Sequence, residues 1–177
     1  MKASALIAAL VILFSSGQAF DEIINISTPQ DLITYSKTLK RTFNYGSTLI
    51  LQNDIDFTGV SDQYEPISCF YDWCFGGILD GQGYRISNYK SDNGLIATFE
   101  GVAIRNVVMD EAIITPNLTS TSRSIGGIAG YASNYYDYTK IENCVFKGKI
   151  EINTPNLVNE EITVGGIVAR QLLNITH

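Results

Sequence analysis

Histidine is almost missing from this chain: its single copy, His177, is the last residue. That absence removes the usual base from any Ser- or Cys-based nucleophilic site, and the commonest nitrogen ligand from a metal site. Basic residues are also few, 12 Lys and Arg against 18 Asp and Glu, and they form no cluster. A net charge of −6 without a basic patch is a poor match for nucleic acid or an anionic membrane, which both need concentrated positive charge. There are three cysteines, and their spacing does not make a zinc framework. Beyond the amino-terminal stretch no apolar run is long enough for a membrane helix. No cofactor and no metal are expected.

What is present begins with a leader-like segment. Lys2 supplies a positive start, Ala3 to Phe14 is apolar or small, and Gly17-Gln18-Ala19 offers small residues for cleavage. The run is too short to span a bilayer, so residues 1–19 read as a signal peptide rather than an anchor. Residues 20–177 then form one domain, expected to be extracellular, either secreted or at the cell surface. With 45% hydrophobic and 17% charged residues in the whole chain, that domain has ample material for a core.

The rest of the chain repeats itself. Ile-x-Asn occurs at Ile86-Ser87-Asn88, Ile104-Arg105-Asn106 and Ile141-Glu142-Asn143. A Gly-led aliphatic motif occurs at Gly94-Leu95-Ile96-Ala97, Gly127-Ile128-Ala129-Gly130 and Gly166-Ile167-Val168-Ala169. Thr115-Pro116-Asn117-Leu118 returns as Thr154-Pro155-Asn156-Leu157. Such periodicity marks stacked units rather than a sandwich of hairpins. The expected fold is mostly β, a right-handed parallel β-helix (solenoid) with a short N-terminal capping helix. In it Asn88, Asn106 and Asn143 would form one interior ladder of hydrogen-bonded amides.

Local signals agree with that class. Ser27-Thr28-Pro29 starts a helix with Leu32, Ile33, Tyr35, Ser36 and Leu39 on one face. Short strands follow at 48–52, 77–79, 84–87, 94–99 and 103–109, each bounded by turn-forming residues. Cys144 aligns with Val107 and reads as a small buried residue. Cys69 and Cys74 bracket four residues and are placed to form a disulfide in an oxidising compartment.

These features in this order resemble the GLUG-repeat class of right-handed parallel β-helices, related to the pectin-lyase-like fold. The resemblance rests on Asp31-Leu32, Leu49-Ile50-Leu51, Asn53-Asp54-Ile55-Asp56, and the stretch Phe75 to Ile86, with the Gly-led and Ile-x-Asn repeats after them. It implies a secreted or surface-displayed module, often part of a larger adhesin-like chain. Only two to three repeats are visible, which implies either a fragment cut short at the carboxyl end or a short diverged member.

Two functional readings follow. The first is a non-catalytic module for structural display or for binding glycan or protein partners. Its contact residues would be Tyr71, Trp73, Tyr135, Tyr136 and Tyr138, aromatic residues set among Asp and Asn. The alternative is a polysaccharide lyase or glycoside hydrolase of the pectin-lyase-like fold, which needs paired carboxylates. Asp54 and Asp56 are the best pair and Asp80 a neighbour, although Asp at strand ends ordinarily accepts hydrogen bonds from turn amides. No Asp-Asp dipeptide or Gly-His-Gly accompanies them. Asn25, Asn117 and Asn174 head Asn-x-Ser/Thr sequons and would carry glycans in a eukaryotic secretory pathway.

Overall fold

A computed structural model describes residues 22–39, 47–69, 74–116, 122–133, 139–152 and 161–172. Strand β1 (Ile23–Ile26) comes first and helix α1 (Pro29–Leu39) second, so a strand precedes the helix expected to open the fold. The helix start is fixed by reciprocal capping: the Asp31 amide donates to Thr28 Oγ1 at 3.3 Å. Asp31 Oδ2 in turn accepts the amides of Ser27 and Thr28 at 3.0 and 2.9 Å. Its inner face is Leu32, Ile33, Tyr35 and Ser36, all buried.

Strands then follow in short pieces: β2 (Thr48–Leu51), β3 (Ile55–Asp56), β4 (Ile78–Asp80), β5 (Arg85–Ser87), β6 (Lys90–Ser91), β7 (Ile96–Phe99), β8 (Ala103–Arg105) and β9 (Val108–Ile114). The series ends with β10 (Ser122–Gly126), β11 (Ala129–Ser133), β12 (Lys140–Glu142), β13 (Val145–Ile150), β14 (Glu161–Gly165) and β15 (Val168–Leu172). Every described pairing is parallel. A first sheet has the order β1-β2-β4-β8-β12, a second β13-β9-β5-β3 and a third β15-β11-β7, while β10 and β14 form a fourth. From β2 onward the chain visits the first, second and third sheets in that order and then returns to the first. On the last two passes the fourth sheet is inserted between the second and the third.

Register puts like above like. Leu49, Leu79, Ile104 and Ile141 share one column, and Ile55, Ile86, Met109 and Phe146 another. A third column holds Ile67, Ile96, Ala129 and Val168. The members of these columns up to Ala129 are buried, whereas Ile141, Phe146 and Val168 on the last pass are only partly covered.

Corners explain where the strand expectations fail. The stretch expected as one strand, 103–109, is split at Asn106, whose φ of 55° turns the chain sharply. Asn143 makes the same corner one pass later with φ 52°. Asn tolerates this left-handed conformation better than most residues, because its short amide can bond locally. Asn88 does not belong to that column. Ile86 pairs with Met109 rather than Ile104, so Asn88 (φ 56°) stands beside Glu111 (φ 55°) in a different corner. The ladder is therefore shorter than expected and lies at an outer corner: Asn143 is exposed, and Asn88 and Asn106 are half-buried.

Candidate functional site

The described surface has a polar cleft of about 460 Å³ where two passes of the chain run side by side. One wall is the 3₁₀ turn Ser61–Gln63 with Tyr64 to Ser68, and the other is Lys90 to Asn93. Ser61 joins them, its hydroxyl donating to the Lys90 carbonyl at 2.8 Å and accepting the Lys90 amide at 2.5 Å. In this way one side chain replaces the missing strand partner of β6. Beneath lies an aromatic floor in which Phe57, Tyr64 and Tyr89 meet edge to face, each pair 5.5 Å apart. Tyr64 Oη donates to the Leu95 carbonyl at 2.8 Å, and burial pushes its ionisation far up, so it is a neutral donor.

Asn93 fixes the far wall. Its Oδ1 accepts the amides of Gly94 and Gly126, and its Nδ2 donates to the Ser124 carbonyl at 3.1 Å. The rim carries Asp62, Glu65, Asp92 and Lys90. Hydroxyls, carboxylates and one ammonium around a rigid floor suit a small hydrogen-bonding polar molecule. The sequence reading missed this cleft. The signal available was the shared offset, since Ile67 pairs with Ile96 and the same shift lays Ser61 beside Lys90.

The carboxylates singled out from sequence are committed elsewhere. Asp54 Oδ1 accepts the Arg85 amide at 2.8 Å. Asp56 Oδ1 accepts from Thr58 (amide 3.0 Å, hydroxyl 2.8 Å) and from Asn88 Nδ2 at 2.9 Å. The Asn88 and Thr58 bonds hold its carboxyl below the ordinary range. Asp80 is 3% exposed. Its Oδ2 receives Arg105 Nε at 2.8 Å, and its Oδ1 the Gln82 amide at 3.0 Å and Asn106 Nδ2 at 3.1 Å. Burial pushes the Asp80 carboxyl up, but the bonds from Asn106, Gln82 and Arg105 outweigh it and leave it below the usual value. Asn143 Nδ2 then donates to Asn106 Oδ1 at 3.3 Å, so two asparagines stack on an aspartate. All three carboxylates brace turns.

Cys69 and Cys74 are joined by a disulfide. Eight positions separate Ile67 from Phe75, but only three separate their partners Ile96 and Phe99. The disulfide thus closes the base of an insertion in the third sheet and lets the strand resume in register. Glu100 lies within 4.8 Å of both sulfurs, yet sulfurs bonded to each other offer no thiolate to a metal. Burial raises the Glu100 carboxyl and the half-buried Cys144 thiol. Cys144 follows Asn143 in the same place as fully buried Val107, and its Sγ–H donates to the Glu142 carbonyl at 3.2 Å. Tyr71, Trp73, Tyr135, Tyr136 and Tyr138, with the sequon residues Asn117 and Asn174, lie outside the described residues. Asn25 is exposed on β1, where its Oδ1 accepts Gln52 Nε2 at 2.9 Å.

No helix among the described residues is long and apolar enough to cross a membrane. Comparison with curated proteins gave no match, and neither did comparison with solved structures. The family model of the GLUG motif matches residues 121–151, which run from the start of β10 through the end of β13.

Proposed function

We propose that the chain is a right-handed parallel β-solenoid, closed at its amino end by α1, that serves as a non-catalytic module outside the cell. Residues 1–19 would be its signal peptide and 20–177 its single domain. Its role would be structural display or the binding of glycan or protein partners, in the manner of an adhesin. The observation that carries this reading is the repeated visiting order of the parallel sheets, with aliphatic residues stacked in register. The GLUG match supports it. Asp54, Asp56 and Asp80 are occupied by turn amides and side chains, which weakens the lyase or hydrolase alternative.

A rigid stack suits display because insertions leave its flank at fixed separations. The aromatic segments around Trp73 and Tyr136 would be such insertions, and the cleft between Ser61 and Asn93 a second polar contact. Stacking is tested by the registered pair Ser124→Cys with Thr163→Cys, which should cross-link within one chain. Failure to cross-link would sink the solenoid. Function is tested on glycan arrays and cell surfaces, where Trp73→Ala and Tyr136→Ala should weaken capture while the melting temperature stays unchanged. Polysaccharide cleavage that disappears in Asp54→Asn or Asp56→Asn would replace this reading with the enzymatic one.

A further inference from the structure

Register decides what stands beside the Cys69–Cys74 disulfide. Phe75 pairs with Phe99, both rings are buried, and their centres lie 5.9 Å apart. Cys74 precedes the first of them and Glu100 follows the second, and the Glu100 amide donates to the Phe75 carbonyl at 3.2 Å. The same parallel run sets Ile67, two residues before Cys69, on Ile96. A Glu100 carboxylate oxygen is thereby held within 4.8 Å of both sulfurs.

Nothing among the described residues balances that charge. No cation and no hydrogen-bond donor reaches the Glu100 carboxylate, and burial is the one influence that moves its ionisation. Glu100, Cys69 and Cys74 are each half-buried, so the sulfurs and the carboxylate share one partly open patch. Cys144 is the other sulfur of the chain, and burial raises its thiol, which leaves less thiolate to attack the disulfide from within.

We propose that Glu100 is an electrostatic guard on the Cys69–Cys74 disulfide, protecting it from reduction by anionic thiols such as glutathione. Exchange begins when a thiolate bonds to one Sγ and the Sγ–Sγ bond breaks. The electron pair leaves on the other Sγ, which takes a proton from water. A second thiolate then resolves the mixed disulfide and carries the reductant away as its own disulfide. As the first bond forms, negative charge spreads over three sulfurs beside a fixed carboxylate. At this separation the repulsion slows the step about fivefold even at the dielectric constant of water. A second negative group on the reagent adds to that repulsion, and a positive one offsets it. The guard thus keeps the insertion after Cys69 closed at its base without burying the bond.

Reduction rates of the oxidised protein test this at neutral pH and low salt, with an anionic thiol, 2-mercaptoethanesulfonate, and a cationic one, cysteamine. Alkylation and peptide mass mapping follow the opening of Cys69–Cys74 separately from Cys144. Each rate is scaled to that reagent's thiolate concentration and to its rate with a small neutral disulfide. Glu100→Gln should speed the sulfonate about fivefold and lower the preference for cysteamine at least about threefold. Glu161→Gln, at an exposed position on β14 in a different sheet, removes the same net charge and should leave that preference unchanged. An unchanged preference in Glu100→Gln overturns the proposal, even if both rates rise, because a charge must tell the two reagents apart. An equal loss of preference in Glu161→Gln overturns it too, since the effect would then be one of net charge. Neither result touches the stacking of the sheets, which the Ser124→Cys/Thr163→Cys cross-link reports on its own.

Discussion

Residues 122–130 and 161–169 carry the same Gly-Gly-Ile motif at matched positions, yet the two copies have opposite surroundings. In the first, Ile125, Ile128 and Ala129 are fully buried; in the second, Val164 and Ile167 are exposed and Val168 is partly covered. Ile128 and Ile167 are the same residue at matched positions, so their difference lies in what covers them. A repeat in this fold does not bury its own inward face, because its neighbours on both sides do so. Burial is therefore a property of position in the stack, and the same residue type should differ in worth from one pass to the next.

Matched substitutions offer the strongest attack on that comparison. Ile128 and Ile167 occupy equivalent positions, as the pairing of Ala129 with Val168 requires. Ile128→Ala should cost about 2–5 kcal/mol, the range for truncating a fully buried aliphatic side chain. Ile167→Ala should cost less than about 1 kcal/mol, because part of its surface is already in water. Urea unfolding gives both values. Equal losses would mean that the last pass is covered after all.

A second contrast sets the buried foot of the asparagine column against its exposed top. Asp80 is buried and accepts three hydrogen bonds, while Asn143 is exposed. Folding depresses the Asp80 carboxyl, so its contribution is fully present above the unfolded value near 3.9 and is lost as pH falls through the folded one. Asp80→Asn should cost about 1–3 kcal/mol at neutral pH, since the buried side chain would then be poorly matched to the bonds from Gln82, Arg105 and Asn106. Across the acid range the variant should lose less stability than the parent. Parallel acid-unfolding curves would show that Asp80 is not a linked group.

Much of this was legible in the sequence, for a physical reason. Parallel strands paired in register give matched residues matched environments, so repetition of aliphatic and Gly positions reports the pairing directly. Helix α1 was legible because its cap is local, with Thr28 and Asp31 bonded to each other's backbone. Strand β1 was missed because four residues, Ile23 to Ile26, carry little periodic signal and take their strand form from β2. The grouping of Asn88 with Asn106 and Asn143 failed because Ile-x-Asn describes a strand and its corner without saying which sheet the strand joins. The cleft was invisible for a related reason: Ser61 and Lys90 are ordinary surface residues until the register lays them side by side.

The finest contrast compares corners rather than ends. Asn88 and Glu111 hold adjacent left-handed positions in the same corner, with φ of 56° and 55°. The geometry is nearly identical, but the side chains suit it unequally. For most L-residues this region costs about 1–2 kcal/mol, because Cβ crowds the following carbonyl oxygen, while Asn recovers part of that by local bonding. Glu111 is exposed, so exchanging it removes little packing. Register adds a second reason to look there: β13 skips this residue, pairing Lys147 with Asp110 and Gly148 with Ala112. Glu111→Asn should therefore raise stability by about 0.5–1 kcal/mol, the order of the relieved conformational cost. Asn88→Glu should lower it by more than that, because it also breaks the bond from Asn88 Nδ2 to Asp56. Thermal unfolding of the two variants decides the matter. A loss of stability in Glu111→Asn would mean that the carboxylate contributes a contact worth more than the strain of its backbone.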